Sequence, residues 1–319
     1  MMADDGQSPL FPGQAAPEEA QLHADSPLHV ALTHFEQHML DKGFAVNTVK
    51  AFVSDVRLLG KYLGPAEAIG DIGTQNLNDF LNWLLHERDV PCSPKSYARR
   101  VTTLKVFFGW LAETEILLAN PANAVIQRSV SSPLPNAPAP ADLAQALAVT
   151  ERWREGEDSH KPDVRPHMLL TLLLETGIKK GEAMALEPQH VDSSDPDKPF
   201  LFVQYKNPRL RYKERKIPVS TEWIEILQEY LQQYRPDSTI FTCTARNLEY
   251  ILTDIADAAG LDKGLLSFEN LRWAAALRDY RHEVSQDEIR QKLGLSKVTW
   301  RETKNKLDKI KAKQDAVVA

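Results

Sequence analysis

Very little in this chain points to secretion, to a membrane or to a metal. Its two cysteines, Cys92 and Cys243, stand far apart and outside any metal-ligand spacing. A reducing, cytoplasmic setting is therefore expected, with no disulfide framework and no zinc site. No apolar run approaches the roughly 20 residues of a membrane-spanning helix, and the opening residues lack the basic-then-apolar pattern of a signal peptide. The nine histidines show no ligand spacing and no glycine-rich phosphate loop is present, so no cofactor is expected. Positive charge is not in excess either, since 38 Lys and Arg stand against 44 Asp and Glu. Tyrosine is missing from everything after Tyr280.

The deficit of positive charge is unevenly placed. Residues 1–27 hold Asp4, Asp5, Glu18, Glu19 and Asp25 and no Lys or Arg. Taking those five from the 44 acids leaves 39 against 38 basic residues, so the body is nearly neutral. Where its cations cluster then decides whether nucleic acid is a partner. The opening segment is too polar to bury a core and reads as a disordered acidic tail over 1–27.

From Pro27 the apolar spacing is helical. Val30, Leu32, Phe35 and Met39 mark a first helix, stopped at Gly43. Asn47 reads as the cap of a second, Thr74 as the start of a third, and Ser93 as the start of a fourth that carries Tyr97, Val101, Leu104, Phe107, Phe108 and Leu111. Together they predict a small helical domain over 28–130. The segment "SSPLPNAPAPAD" has four prolines and little apolar bulk, and predicts a linker over 131–141.

The second half, 142–298, reads as helices around one hairpin. Helical spacing returns near 142–154 and 165–175, then "PFLFVQYKNPRLRYKERKIPVS" shifts to period two. Its second run is expected to set Arg209, Arg211, Lys213 and Arg215 on one face of a strand. Helices follow near 221–233, 245–259, 269–281 and 286–293, with a basic C-terminal helix or tail over 299–319. Tyr97, Phe107, Phe108 and Trp110 read as core.

Helical bundle, proline linker, "ETGIKKGEAMAL", basic hairpin, "LRWAAALRDY" and "IRQKLGLS", in that order, resemble the tyrosine recombinase (phage integrase) family over about 28–305. The resemblance implies a mainly α fold: an N-terminal helical core-binding (SAM-like) domain, then a catalytic-type domain, helical with a small antiparallel β-hairpin. It also implies double-stranded DNA as partner, held between basic faces of the two domains. Carried over by position, the family's phosphate-holding residues fall on Lys179 and Arg272, and its hairpin lysine on Lys206, with Arg211 and Lys213 as alternates. Its groove-facing helix falls on Lys95, Arg99, Arg100 and Lys105, and its basic hairpin on Lys206, Arg209, Arg211, Lys213 and Arg215.

The same alignment departs from the family at four places. Lys179 stands for an arginine and lacks its two-pronged fork. Glu269 stands for a histidine and is expected to pair with Arg272, one turn on. Leu295 stands for a histidine or tryptophan, and Lys304 for the nucleophilic tyrosine, leaving Lys304 as a further cation for DNA. From these departures follows an expectation of a DNA-binding chain that is no enzyme. It would act as a repressor or regulator, or as accessory subunit to an active recombinase of the same mobile element. Two alternatives stand beside it: a protein-interaction module that has given up DNA, and an active recombinase using Ser296, Thr299 or Thr303. The basic C-terminal helix, with sparse apolar positions Val298, Leu307 and Ile310, is expected either to dock on a neighbouring subunit of a homo- or hetero-oligomer or to lie solvated.

Overall fold

A computed structural model of the chain describes residues 22–64, 66–90, 92–126, 133–157 and 161–318. Most of the expected acidic tail and the first two residues of the expected linker lie outside the described residues. Two units are formed, 1–132 and 133–319.

The first unit is built on four helices, α1 (Leu28–Asp41), α2 (Val46–Leu63), α3 (Thr74–His86) and α4 (Pro94–Glu113). The start of α4 follows from its sequence. Ser93 accepts a hydrogen bond from the Ser96 N–H at 3.2 Å, and Pro94 takes the first helical position, where its missing N–H is no loss. That register turns Tyr97, Val101, Leu104, Phe108 and Leu111 inward. At the centre Phe35 meets Phe107 edge to face at 5.0 Å, an arrangement contributing about 0.5–1.5 kcal/mol beyond the area buried. The sequence places the cap of α2 at Asn47, but the helix begins at Val46 after Ala45. No side-chain cap forms there, and the first turn closes through Thr48 N–H to Ala45 C=O.

The second unit carries α5 (Pro140–Glu155), α6 (Arg165–Thr176), α7 (Lys180–Met184), β1 (Val191–Asp192), β2 (Phe200–Val203), β3 (Arg215–Pro218), α8 (Thr221–Tyr234), α9 (Ala245–Ala258), α10 (Phe268–Arg281), α11 (Gln286–Lys292) and α12 (Lys297–Val318). Helix α6 is apolar nearly all round and lies against α5, α8, α9 and α10, the position such a helix must take. The strands form one antiparallel sheet in chain order, with Leu201 opposite Ile217 and Val203 opposite Arg215. Fold class is thus mainly α with a small antiparallel sheet.

Two expectations are corrected here. The basic run does not line one face of a strand. Pro208–Lys213 coils as a 3₁₀ turn, and only Arg215 of the four cations belongs to β3. Pro208 has no N–H for a strand ladder, and Asn207 caps the turn by accepting from Arg209 N–H at 3.0 Å. Second, α12 is not solvated along most of its apolar positions, which its own unit covers. Trp300, Leu307 and Ile310 are buried against Ala276, Leu277, Ile289 and Leu293 of the same unit. Tyr280 OH donates to Asp308 at 2.6 Å and Arg281 reaches Asp315 at 2.7 Å. Val298 alone of the three expected apolar positions stays exposed.

Candidate nucleic-acid interface

In the second unit, two left-handed glycines bring the cationic site together. Gly177 ends α6 at φ 58°, and Gly294 follows α11 at φ 58°. A Cβ on Gly177 would meet Leu293 at 3.2 Å, and one on Gly294 would meet the Arg215 guanidinium at 2.9 Å. Glycine is needed at both for the turn and for the approach. The carbonyl of Gly177 and that of Leu293 both accept from the Arg272 guanidinium. Arg215 Nε donates to Lys292 C=O at 2.6 Å. The C-terminal carbonyls of α11 are therefore satisfied by two arginines, which also suits the negative end of the helix.

Glu182 sits among these cations and is buried. It accepts from Arg215 through both oxygens, at 2.9 and 3.2 Å, and from the Lys179 N–H at 2.8 Å. Tyr205 OH donates to it as well. Burial alone would raise the Glu182 pKa, but the hydrogen bonds and charge of Arg215, with those of Lys179 N–H and Tyr205, hold it at about 2. Burial and the bond to Glu182 push Tyr205 up to about 12. Arg272 is brought down to about 10, chiefly by burial, and remains charged at neutral pH.

Lys179 opens this cluster to solvent. Its ammonium lies 3.7 Å from Glu182 with 42% of the side chain exposed. Burial lowers its pKa, Glu182 opposes that, and Arg272, Arg215 and Lys213 press it down further. One carboxylate thus faces four cations. An anion arriving at Lys179 would relieve repulsion already present, the condition under which a phosphate is held.

The sequence-expected residues divide accordingly. Lys179, Lys213, Arg215 and Arg272 come together. Arg215 is not a surface contact: its side chain is 7% exposed, and its fork is engaged by Glu182 and the Lys292 carbonyl. Lys206 is almost fully exposed and 3.9 Å from Glu187, while the charge of Lys213 bears on Lys179. Arg209 and Arg211 are exposed on the 3₁₀ turn. Two backbone carbonyls hold the Arg272 guanidinium. Lys180 pairs with Glu249 at 2.6 Å, so it does not replace Lys179. Lys304 is half-buried on α12, and Leu295 packs against the core that α12 covers.

In the first unit, Arg99 grips buried Asp55 through two nitrogens at 2.7 and 2.8 Å, and Thr103 donates to the same carboxylate at 3.0 Å. Arg100 lies 3.4 Å from it. These two arginines therefore tie α4 to α2, while Lys95 is exposed and Lys105 half-buried. Sequence reasoning missed Tyr205 and the carbonyls of Gly177, Lys292 and Leu293. Only the two glycines signalled them. Among the described residues no helix is long and apolar enough to cross a membrane, and no cluster of His, Cys, Asp and Glu could hold a metal.

Comparison with known proteins places this geometry in context. Residues 32–115 match the phage integrase N-terminal SAM-like domain. A tyrosine recombinase XerD of Pseudomonas putida is 26% identical over 271 residues, covering 81% of this chain and 85% of the relative. Over most of its length the chain is thus similar to tyrosine recombinases. A XerD of Listeria innocua is 25% identical over 199 residues, 62% of each chain, so this chain spans under two thirds of that relative's length. The fold is that of a lambda integrase dimer solved bound to a COC′ core site, with a TM-score of 0.67 and 18% identity over 91% of this chain and 81% of that one. These relatives correct one expectation. They are named tyrosine recombinases, which are enzymes, and four aligned substitutions do not set this chain down as no enzyme.

Proposed function

We propose that this chain is a member of the tyrosine recombinase family that binds double-stranded DNA in a sequence-specific manner and works in DNA recombination or integration. In this reading Lys179 and Lys213 receive a backbone phosphate. Arg272 and Arg215 lie behind them as fixed charges, held in place by Glu182 and by the carbonyls of Gly177, Lys292 and Leu293. The observation that carries the reading is the partly exposed Lys179 ammonium, 3.7 Å from Glu182 and under the charge of Arg272, Arg215 and Lys213. Arg209 and Arg211, exposed on the neighbouring turn, extend the positive surface along the strand of phosphates, with Lys206 at its edge.

Backbone contacts of this kind set affinity and make it fall steeply with salt, while base-edge contacts choose the site. The test is selection of bound fragments from fragmented genomic DNA by the full chain, followed by binding to the winners across a salt series. Log affinity should fall linearly with log salt. Absence of salt-sensitive binding to any fragment would overturn the reading. Its recombination half expects joined products from a plasmid carrying two selected sites. A lack of both product and covalent protein–DNA adduct would sink that half and leave DNA binding standing.

A further inference from the structure

The 3₁₀ turn between β2 and β3 holds an aromatic ring in water amid exposed positive charge. Tyr212 is 76% exposed. Its ring lies 5.2 Å from the Lys213 ammonium, and Arg209 and Arg211 are exposed on the same turn. The turn is not slack. Asn207 accepts from Arg209 N–H, and Leu210 and Glu214 donate their backbone N–H groups to Asn207 and Arg211 carbonyls at 2.9 Å. Leu210 and Lys213 are the half-buried residues of the turn, while Tyr212 between them stays in solvent.

We propose that Tyr212 is a base-stacking residue that recognises DNA whose base stack is opened beside the phosphates held by this turn. The inference rests on the DNA-binding function proposed above and gives it a preference between DNA forms. An intact duplex buries the faces of its bases and offers the ring only an edge. A bulged or unpaired base offers a π-face, and burying an exposed tyrosine against it removes apolar surface from water on both partners. The flanking cations supply the phosphate contacts that bring such a base within reach. Lys213 already lies near the ring, in the range of a cation–π contact, and so helps to orient it.

The test compares the full chain, Tyr212→Ala and Tyr212→Phe on two DNAs at low salt: a matched duplex, and the same duplex carrying one bulged 2-aminopurine. Wild type should prefer the bulged DNA and quench the probe. Tyr212→Ala should weaken binding to the bulged DNA by roughly 5- to 150-fold while binding matched duplex as wild type does. Tyr212→Phe should keep both the preference and the quenching, since stacking needs the ring and not the hydroxyl. Loss in Tyr212→Phe equal to that in Tyr212→Ala would assign the hydroxyl to a phosphate and overturn stacking. Equal effects of Tyr212→Ala on both DNAs, or none, would overturn it also while duplex binding stands. Failure of wild type to bind either DNA would overturn both the inference and the function beneath it. An exposed site should leave thermal unfolding unchanged in both variants.

Discussion

Arg215 and Glu182 form the ion pair around which the cationic site of the second unit is assembled, Nη2 to Oε2 at 2.9 Å with side chains 7% and 3% exposed. Neither could be buried alone. Together they fix β3 to α7, and through Lys292 C=O they fix β3 to the end of α11. The carboxylate also lets three more cations gather without driving the site apart.

That pair makes stability depend on pH with a definite sign. Glu182 ionises at about 2 in the folded chain against 4.5 ordinarily. A depressed carboxylate stabilises the fold fully above the unfolded value and loses that contribution as pH falls toward the folded one. The shift corresponds to about 3 kcal/mol. Denaturant unfolding of wild type and Glu182→Gln should therefore differ most above pH 4.5 and converge as pH falls toward 2. A difference independent of pH across that window would mean that Glu182 acts through shape and not charge.

Lys179 stands at the open side of the same site, where its loss need not unfold anything. Lys179→Ala should weaken DNA binding by a similar factor on every sequence and reduce the salt slope by about 1. Lys213→Ala should do likewise, because Lys213 bears on Lys179. Lys206→Ala should change little, its side chain being 92% exposed beside Glu187. Salt titrations of binding on one duplex decide the order; a larger effect at Lys206 would place the phosphate at the rim of the turn.

In the first unit Arg99 and Lys105 lie on one helix but should fail differently. Arg99→Ala strands the Asp55 carboxylate, buried at 3% exposure, with Arg100 and Thr103 as its remaining partners. Since Arg99 is itself partly exposed, the expected loss of stability is about 1–3 kcal/mol. Lys105→Ala should leave unfolding unchanged and alter DNA affinity alone. Paired chemical unfolding and binding measurements on the two variants separate the roles.

Local signals were legible in the sequence, and distant ones were not. Ser93–Pro94 announces α4 within two residues, and the apolar spacing behind it fixes which face is buried. The cations at 209, 211, 213 and 215 carry a strand's period, yet Pro208 and Asn207 bend that run into a turn, so periodicity alone misplaced them. Glu269 lies at helical spacing from Arg272, which made a pair the natural reading. Two acceptors that hold Arg272, the carbonyls of Gly177 and Leu293, are brought close only by tertiary folding. Glu182 and Arg215 are separated by the whole of the sheet's first two strands, and nothing local couples them.

Helix α12 offers the last discrimination. Its sparse apolar residues invite a neighbouring subunit in the sequence, whereas Leu307 is fully buried against its own unit. If the helix belongs to this core, Leu307→Ala removes buried methyl groups and leaves a cavity, at a cost of about 2–5 kcal/mol. That loss should be independent of protein concentration, because both surfaces lie in one chain. A helix that instead completed itself on a second copy would give an unfolding midpoint rising with concentration, and Leu307→Ala would abolish the rise. Denaturant midpoints across a dilution series, wild type beside Leu307→Ala, read the two cases apart. A flat midpoint lowered by the substitution is the outcome that the packing of Leu307 and Ile310 against Ala276 and Leu277 requires.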